Sequence, residues 1–111
     1  AGPAASVLGL LGPVTAALTA ACAPLVTRTS PVSVLNVVRR DGGRHPSPNA
    51  GRCEAAFAAA LGVRLGGRNV YGGVTETRPD LGDGRVPEPE DIRRAVLLSR
   101  AVTVSATAWL C

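Results

Sequence analysis

Lysine and methionine are absent from this 111-residue chain, histidine occurs once, and the aromatic side chains are limited to Phe57, Tyr71 and Trp109. The usual large core-fillers are therefore missing, and a core must come from alanine, valine, leucine and glycine brought close together. The length bounds the chain to one small domain. With no lysine, the net charge of +4 rests on arginine alone. An arginine-only basic set is what a codon bias produces, so the excess is discounted as a binding signal. The arginines are not interleaved with aromatics and no nucleic-acid module is recognisable, which argues against nucleic acid as a partner. A lone His45 excludes a multi-histidine metal site. Cys22, Cys53 and Cys111 are odd in number and widely spaced. They form neither a zinc pattern nor a disulfide framework, and a reducing compartment is the default.

What is present begins with an uncharged run from Ala1 to Thr27, longer than the roughly 20 residues that cross a hydrocarbon core as helix. Gly9, Gly12, Pro13 and Pro24 weaken its insertion, while Ala5, Ala16, Ala17 and Ala20 permit close helix approach. A transmembrane helix in need of partner helices is expected. A secretory leader is disfavoured, because no basic region or initiating methionine precedes the apolar run. Ala101 to Cys111 is a second uncharged stretch. As helix it reaches about half the depth of a roughly 30 Å core. Arg28, Arg39 and Arg40 follow the first run, and Arg93, Arg94 and Arg100 precede the second. Basic residues at both ends of the intervening segment favour its cytoplasmic placement.

The polar middle is well punctuated. Ser30-Pro31 opens a helix through Arg40 with Val32, Leu35 and Val38 on one side, and Gly42-Gly43 closes it. Cys53 to Leu61 is an alanine-rich helix stopped at Gly62. Two short strands, Val63–Leu65 and Asn69–Thr77, are expected to join through Gly66-Gly67, with Gly72-Gly73 as a bulge or a close backbone approach. Pro79 to Pro87 is expected to be loop, and Glu88-Pro89-Glu90-Asp91 to start a last helix.

The chemistry-bearing residues crowd around one loop, Arg44-His45-Pro46-Ser47-Pro48-Asn49-Ala50-Gly51, stiffened by its two prolines. Ser47 or Asn49 either caps the following helix or binds a ligand. His45 by itself is more simply a solvated or hydrogen-bonding residue than a catalytic one. Arg39, Arg40, Asp41 and Arg44 either clamp a phosphate or an acidic substrate or form a solvated helix end. Asp83, in Leu81-Gly82-Asp83-Gly84-Arg85, either binds a metal or stabilises its own turn. Neither a GxxxxGK[ST] loop nor a GxGxxG turn after a strand occurs.

The run Arg40-Asp41-Gly42-Gly43-Arg44-His45-Pro46-Ser47-Pro48-Asn49-Ala50-Gly51 resembles the CobD/CbiB family of cobalamin-biosynthesis proteins, the adenosylcobinamide-phosphate synthases, in their C-terminal part. The resemblance continues through Glu54-Ala55-Ala56-Phe57-Ala58, Ala60 to Gly67, Asn69-Val70-Tyr71-Gly72-Gly73 and Leu81-Gly82-Asp83-Gly84. Gly42-Gly43 stands where an alanine-containing pair is more usual, and Ala59 where glycine is common; neither change removes a polar group.

The resemblance implies a mainly α, integral membrane helical protein fragment in which two membrane-associated helices flank a polar α+β loop region. Residues 1–27 would form the first transmembrane helix, 28–88 the cytoplasmic loop region, and 89–111 a truncated helix entering the cell membrane of a multi-pass protein. It further implies an ATP-dependent amide ligation joining adenosylcobyric acid to aminopropanol or its phosphate, to give adenosylcobinamide or its phosphate. ATP and Mg²⁺ are the implied cofactors. The corrinoid, the amino alcohol, membrane lipid and the missing N-terminal helices are the implied partners. Asp41, Arg44, His45 and Glu54 are the implied catalytic residues, with Arg44 on phosphate and His45 in proton transfer. Ser47, Asn49, Asn69 and Tyr71 would orient substrate, and Asp83 is the candidate Mg²⁺ ligand, with Asp41 and Glu54 as alternatives. The competing expectation is an inactive membrane or scaffold segment of the same family; a soluble basic binding domain is a third.

Overall fold

The computed structural model describes residues 9–44 and 47–110; the side chains at 48, 67–71, 75–78 and 110 fall outside the description. Four helices and one hairpin follow in the order α1 (Leu11–Val26), α2 (Pro31–Asp41), α3 (Pro48–Leu61), β1 (Leu65–Tyr71), β2 (Val74–Leu81) and α4 (Pro89–Leu110). The mainly helical expectation holds.

Helix α3 is the centre. Its Ala55, Ala56, Ala58 and Ala60 are fully buried, and α1 and α2 pack directly on it. Alanine has no side-chain entropy to lose and lets helix backbones approach closely, which offsets the small area each residue buries. Ala16, Ala20 and Ala23 of α1, Val34 of α2 and Leu98 of α4 complete the core. The buried side of α2 runs through Val34, Val38 and Asp41, whereas Val32 and Leu35 are exposed. The expected stripe through Val32 and Leu35 is therefore rotated by one or two positions, because α3 lies against the Val34 side.

Close approach is most evident where α1 meets the start of α3. A Cβ on Gly12 would stand 2.7 Å from the Asn49 Cα, and the Gly12 N–H donates to Asn49 Oδ1 at 2.9 Å. That N–H belongs to the first turn of α1, where helices have unsatisfied donors, so the capping group comes from another helix rather than from Leu10. Helix α3 begins at Pro48, five residues before the expected start, and ends at Gly62 as expected. Gly62 has φ 70°, and the Val63 N–H returns to Ala58 O at 2.9 Å, a left-handed closure that glycine accepts most readily.

The hairpin corrects the expected strands. Tyr71 pairs with Val74, so Gly72-Gly73 is the two-residue turn, with φ of 55° and 81° at the two glycines. Two consecutive positive φ values match the twist of the flanking strands, which is why a Gly-Gly pair turns here. The irregularity lies at Leu65/Gly67 instead, where Gly66 faces the Pro79 carbonyl so closely that no side chain fits. The segment from Pro79, expected as loop, continues β2 to Leu81.

After β2 the chain folds back on the end of α3. Arg64 N–H donates to Arg85 O at 2.8 Å, and Arg85 N–H to Gly62 O at 3.3 Å. Helix α4 starts at Pro89 as expected.

Among the described residues no helix is long and apolar enough to cross a membrane. Helix α1 has 16 residues, about 24 Å against a hydrocarbon core of about 30 Å. Helix α4 is longer, with 22 residues, but Glu90, Asp91, Arg93, Arg94 and Arg100 interrupt its apolar character. Residues 1–8 and Cys111, parts of the two expected membrane segments, lie outside the described residues.

Gly84 tests the return of the chain onto α3, since a Cβ there would fall on the Gly62 backbone, whereas one on Gly43 meets nothing within 4 Å. Gly84→Ala is expected to cost about 3 kcal/mol in urea unfolding. Gly43→Ala should stay within about 0.5 kcal/mol of the parent.

Candidate functional site

The C-terminal end of α2 delivers Arg40 and Asp41 to the end of β2, and the fold-back beyond β2 delivers Gly82 and Asp83 to the same place. Asp41 is buried, with its side chain 1% exposed. Burying a carboxylate is costly unless donors surround it. Arg40 supplies two, Nε to Oδ1 at 2.8 Å and Nη2 to Oδ2 at 2.6 Å. The Gly82 N–H adds a third, to Oδ2 at 2.8 Å, and Arg44 Nε stands 3.6 Å from Oδ1.

These donors hold the Asp41 carboxyl at about 2, below the usual carboxylate value, chiefly through its hydrogen bonds with Arg40; burial opposes the shift without reversing it. The Arg40 guanidinium is pushed up in turn by Asp41 and then by Asp83. An acid so strong is a poor proton acceptor near neutral pH. Asp41 is built as a fixed anion that orients Arg40.

Above this pair lies an open cavity of about 430 Å³ lined by Arg40, Asp41, Arg44, Arg64, Asp80, Gly82 and Asp83. Arg40 reaches Asp83 with Nη1 at 2.8 Å and Nη2 at 2.7 Å. Arg44 Nη1 donates to Asp80 O at 3.4 Å. Three guanidinium groups at one opening suit oxyanions, whose oxygens match the planar fork of arginine.

Of the residues singled out from the sequence, Asp41, Arg44 and Asp83 come together here. Asn49 instead accepts the Gly12 N–H. Ser47 is at the N-cap of α3 and exposed, and Glu54 is half-buried further along α3; neither lines the cavity. His45 lies outside the described residues, though it follows Arg44 directly. Asn69 and Tyr71 pair through their backbones with Glu76 and Val74, and their side chains lie outside the description.

The sequence reading places Arg40 with Arg39, Asp41 and Arg44 as a phosphate clamp or a solvated helix end, and gives no site role to Arg64 and Asp80. The adjacent Arg40-Asp41 pair is the available signal for the first; nothing local marks the other two.

Among the described residues no group of three His, Cys, Asp or Glu side chains is placed to hold a metal ion. Asp41 and Asp83 both face Arg40. The described residues do not fit a resident Mg²⁺ site.

A second cluster anchors α4. Arg85 grips the buried Asp91 with Nη1 to Oδ2 at 2.7 Å and Nη2 to Oδ1 at 2.6 Å. The Glu88 N–H reaches Asp91 Oδ2 at 2.7 Å, and Arg94 Nη1 bridges Asp91 Oδ1 and Leu61 O, each at 3.0 Å. Led by Arg85, these donors hold the Asp91 carboxyl well below the usual range.

The family model described as CobD/Cbib protein matches residues 4–99. The chain belongs to the CobD/CbiB family. It is similar to the cobalamin biosynthesis protein CobD of Mycobacterium tuberculosis, 55% identical over 92 residues, which is 83% of this chain and 29% of that protein. The protein of the same name from Leptospira interrogans is 42% identical over 73 residues, 62% of this chain and 23% of the relative. That of Synechocystis is 57% identical over 51 residues, 46% of this chain and 15% of the relative. The chain thus spans less than a third of the length of these relatives, and the family is one of cobalamin biosynthesis. No solved structure matches.

The depressed Asp41 carboxyl fixes a pH dependence. Because its folded value is about 2 against an ordinary 3.8, the unfolded chain binds the proton first, and stability falls as pH drops through that window. Asp41→Asn should make this acid limb shallower, the remainder coming from Asp91, in chemical unfolding followed from pH 5 to pH 2. At pH 7 the same variant should cost about 2–3 kcal/mol, since it leaves Arg40 half-paired.

Proposed function

We propose that this region serves cobalamin biosynthesis as the phosphate-handling part of an amide ligase that joins adenosylcobyric acid to aminopropanol or its phosphate. The observation that supports this most directly is the cavity with Arg40, Arg44 and Arg64 at one opening, in a chain of the CobD/CbiB family.

A carboxylate is a poor acyl donor, and ATP, when bound, supplies the phosphoryl group that makes the propionate of the corrinoid reactive. Arg44 and Arg64 bind and orient that phosphoryl group, their charges matching those on its oxygens. Arg40, held by Asp41, fixes the floor of the cavity. His45, next in sequence to Arg44, takes the proton from the incoming ammonium. Ser47, at the N-cap of α3 three residues beyond Arg44, orients substrate.

Placement at a cell membrane, with residues 28–88 on the cytoplasmic side, belongs to the same proposal. The large apolar side chains left exposed on α1 and α4, among them Leu11, Val14, Leu25, Val104 and Trp109, support it.

The test is a chimera in which the matched 92 residues replace the corresponding part of the Mycobacterium tuberculosis relative, expressed in a strain lacking the synthase. Arg44→Ala and Arg64→Ala are each expected to lower cobinamide formation by about 10²-fold, the cost typical of losing one such donor, with the protein still in the membrane fraction. Near-normal output from both variants would remove the site assignment. A parent chimera that localises correctly but makes no cobinamide would favour the inactive scaffold reading.

A further inference from the structure

Arg40 has two working edges, and they face very different partners. Its inner edge, Nε and Nη2, holds Asp41, which is 1% exposed and also bonded to the Gly82 N–H. Its outer edge, Nη1 and Nη2, holds Asp83, whose side chain is 69% exposed. In the first pair the carboxylate is buried; in the second it opens onto the cavity. A carboxylate gripped by two nitrogens of one guanidinium has the geometry in which arginine takes a phosphate.

The backbone that carries Asp83 is pinned on both sides. A Cβ on Gly82 would stand 2.6 Å from Val63 O, and one on Gly84 would fall on the Gly62 backbone. Arg85 then pairs through its backbone with Gly62 and Arg64. Moving Asp83 off Arg40 therefore needs only rotation of an exposed side chain, a fast and low-cost motion. With Asp83 in place, three arginines at the opening face three aspartates, Asp41, Asp80 and Asp83. With it turned away, the cavity gains a surplus positive charge and a free guanidinium edge.

We infer that Asp83 is a built-in rival of the ligand: a phosphate group entering the cavity displaces the Asp83 carboxylate from the outer edge of Arg40, and Arg40 becomes a phosphate-binding residue. Phosphate is favoured over a carboxylate because it offers oxygens to Arg40, Arg44 and Arg64 together. The inference rests on the phosphate-handling reading above and adds the residue that sets the affinity of that site.

The experiment titrates the ¹⁵N-labelled full chain with inorganic phosphate and follows the Arg40 Nε–H and Gly82 amide signals in the parent, Asp83→Asn and Arg44→Gln. Asp83→Asn keeps the shape of an exposed side chain and should leave the fold intact. It is expected to bind phosphate about two- to five-fold more tightly, the range set by removing a competing exposed ion pair. Unchanged or weaker binding would refute the rivalry. If that result comes with lost binding in Arg44→Gln, the phosphate reading stands and only the role of Asp83 falls. If neither the parent nor Asp83→Asn binds phosphate at millimolar concentration, the phosphate reading itself falls. Propionate binding Asp83→Asn as tightly as phosphate would overturn the choice of phosphate.

Discussion

The carboxylate of Asp41 is the point on which the candidate site depends. It is buried at the end of α2 and bonded at once to Arg40 and to the Gly82 backbone, so it joins a helix to the far end of the hairpin across 41 residues of sequence. A buried anion of this kind adds little net stability, because desolvation offsets most of its attraction to Arg40. Its contribution is register. If Gly82 shifted by one residue, the carboxylate would lose a donor it cannot replace, and Asp83 would no longer face Arg40.

Asp91 does the same work for α4. Arg85, Arg94 and the Glu88 N–H converge on it, and Arg94 also reaches the Leu61 carbonyl. Two buried carboxylates thus fix the hairpin and the last helix around one place, the Leu61-Gly62 end of α3. A chain with three aromatic residues has little apolar bulk to specify how its elements meet. Alanine-lined helices slide past one another more easily than helices with large interlocking side chains, so directional polar contacts carry more of the specification.

Features decided locally were legible in the sequence. Pro31 and Pro89 open their helices and Gly62 closes α3 as expected, because a fixed φ or a left-handed residue acts on its own turn. Gly66-Gly67 and Gly72-Gly73 look alike in composition, and only strand pairing shows that the second pair turns and the first sits at the irregularity. The site was half legible. Asp41, Arg44 and Asp83 carry polar chemistry in family motifs, but Arg64 and Asp80 enter the cavity only through the return of β2. Asn49 was readable as a polar residue, yet its bond to Gly12 spans 37 positions and no local pattern announces it.

The distribution of polarity over the molecule connects the site to the membrane placement proposed for it. Thr29 bonds to Ala60 near the C-terminal end of α3 and Gly12 bonds to Asn49 at its start, so α1 runs parallel to α3. Helix α4 runs the other way, from Arg94 at Leu61 to Thr107 beside Leu10 and Leu11. The arginine cavity and both buried carboxylates therefore lie toward the Gly62 end. The exposed Leu10, Leu11 and Trp109 lie toward the opposite end, next to an apolar groove of about 610 Å³ between α1 and α4, while Leu25 and Ile92 are exposed nearer the Gly62 end. Apolar surface of this extent is unfavourable in water, while guanidinium groups are expensive in hydrocarbon. Under the membrane placement proposed above, the groove end would face lipid or neighbouring helices and the arginine cavity would face water.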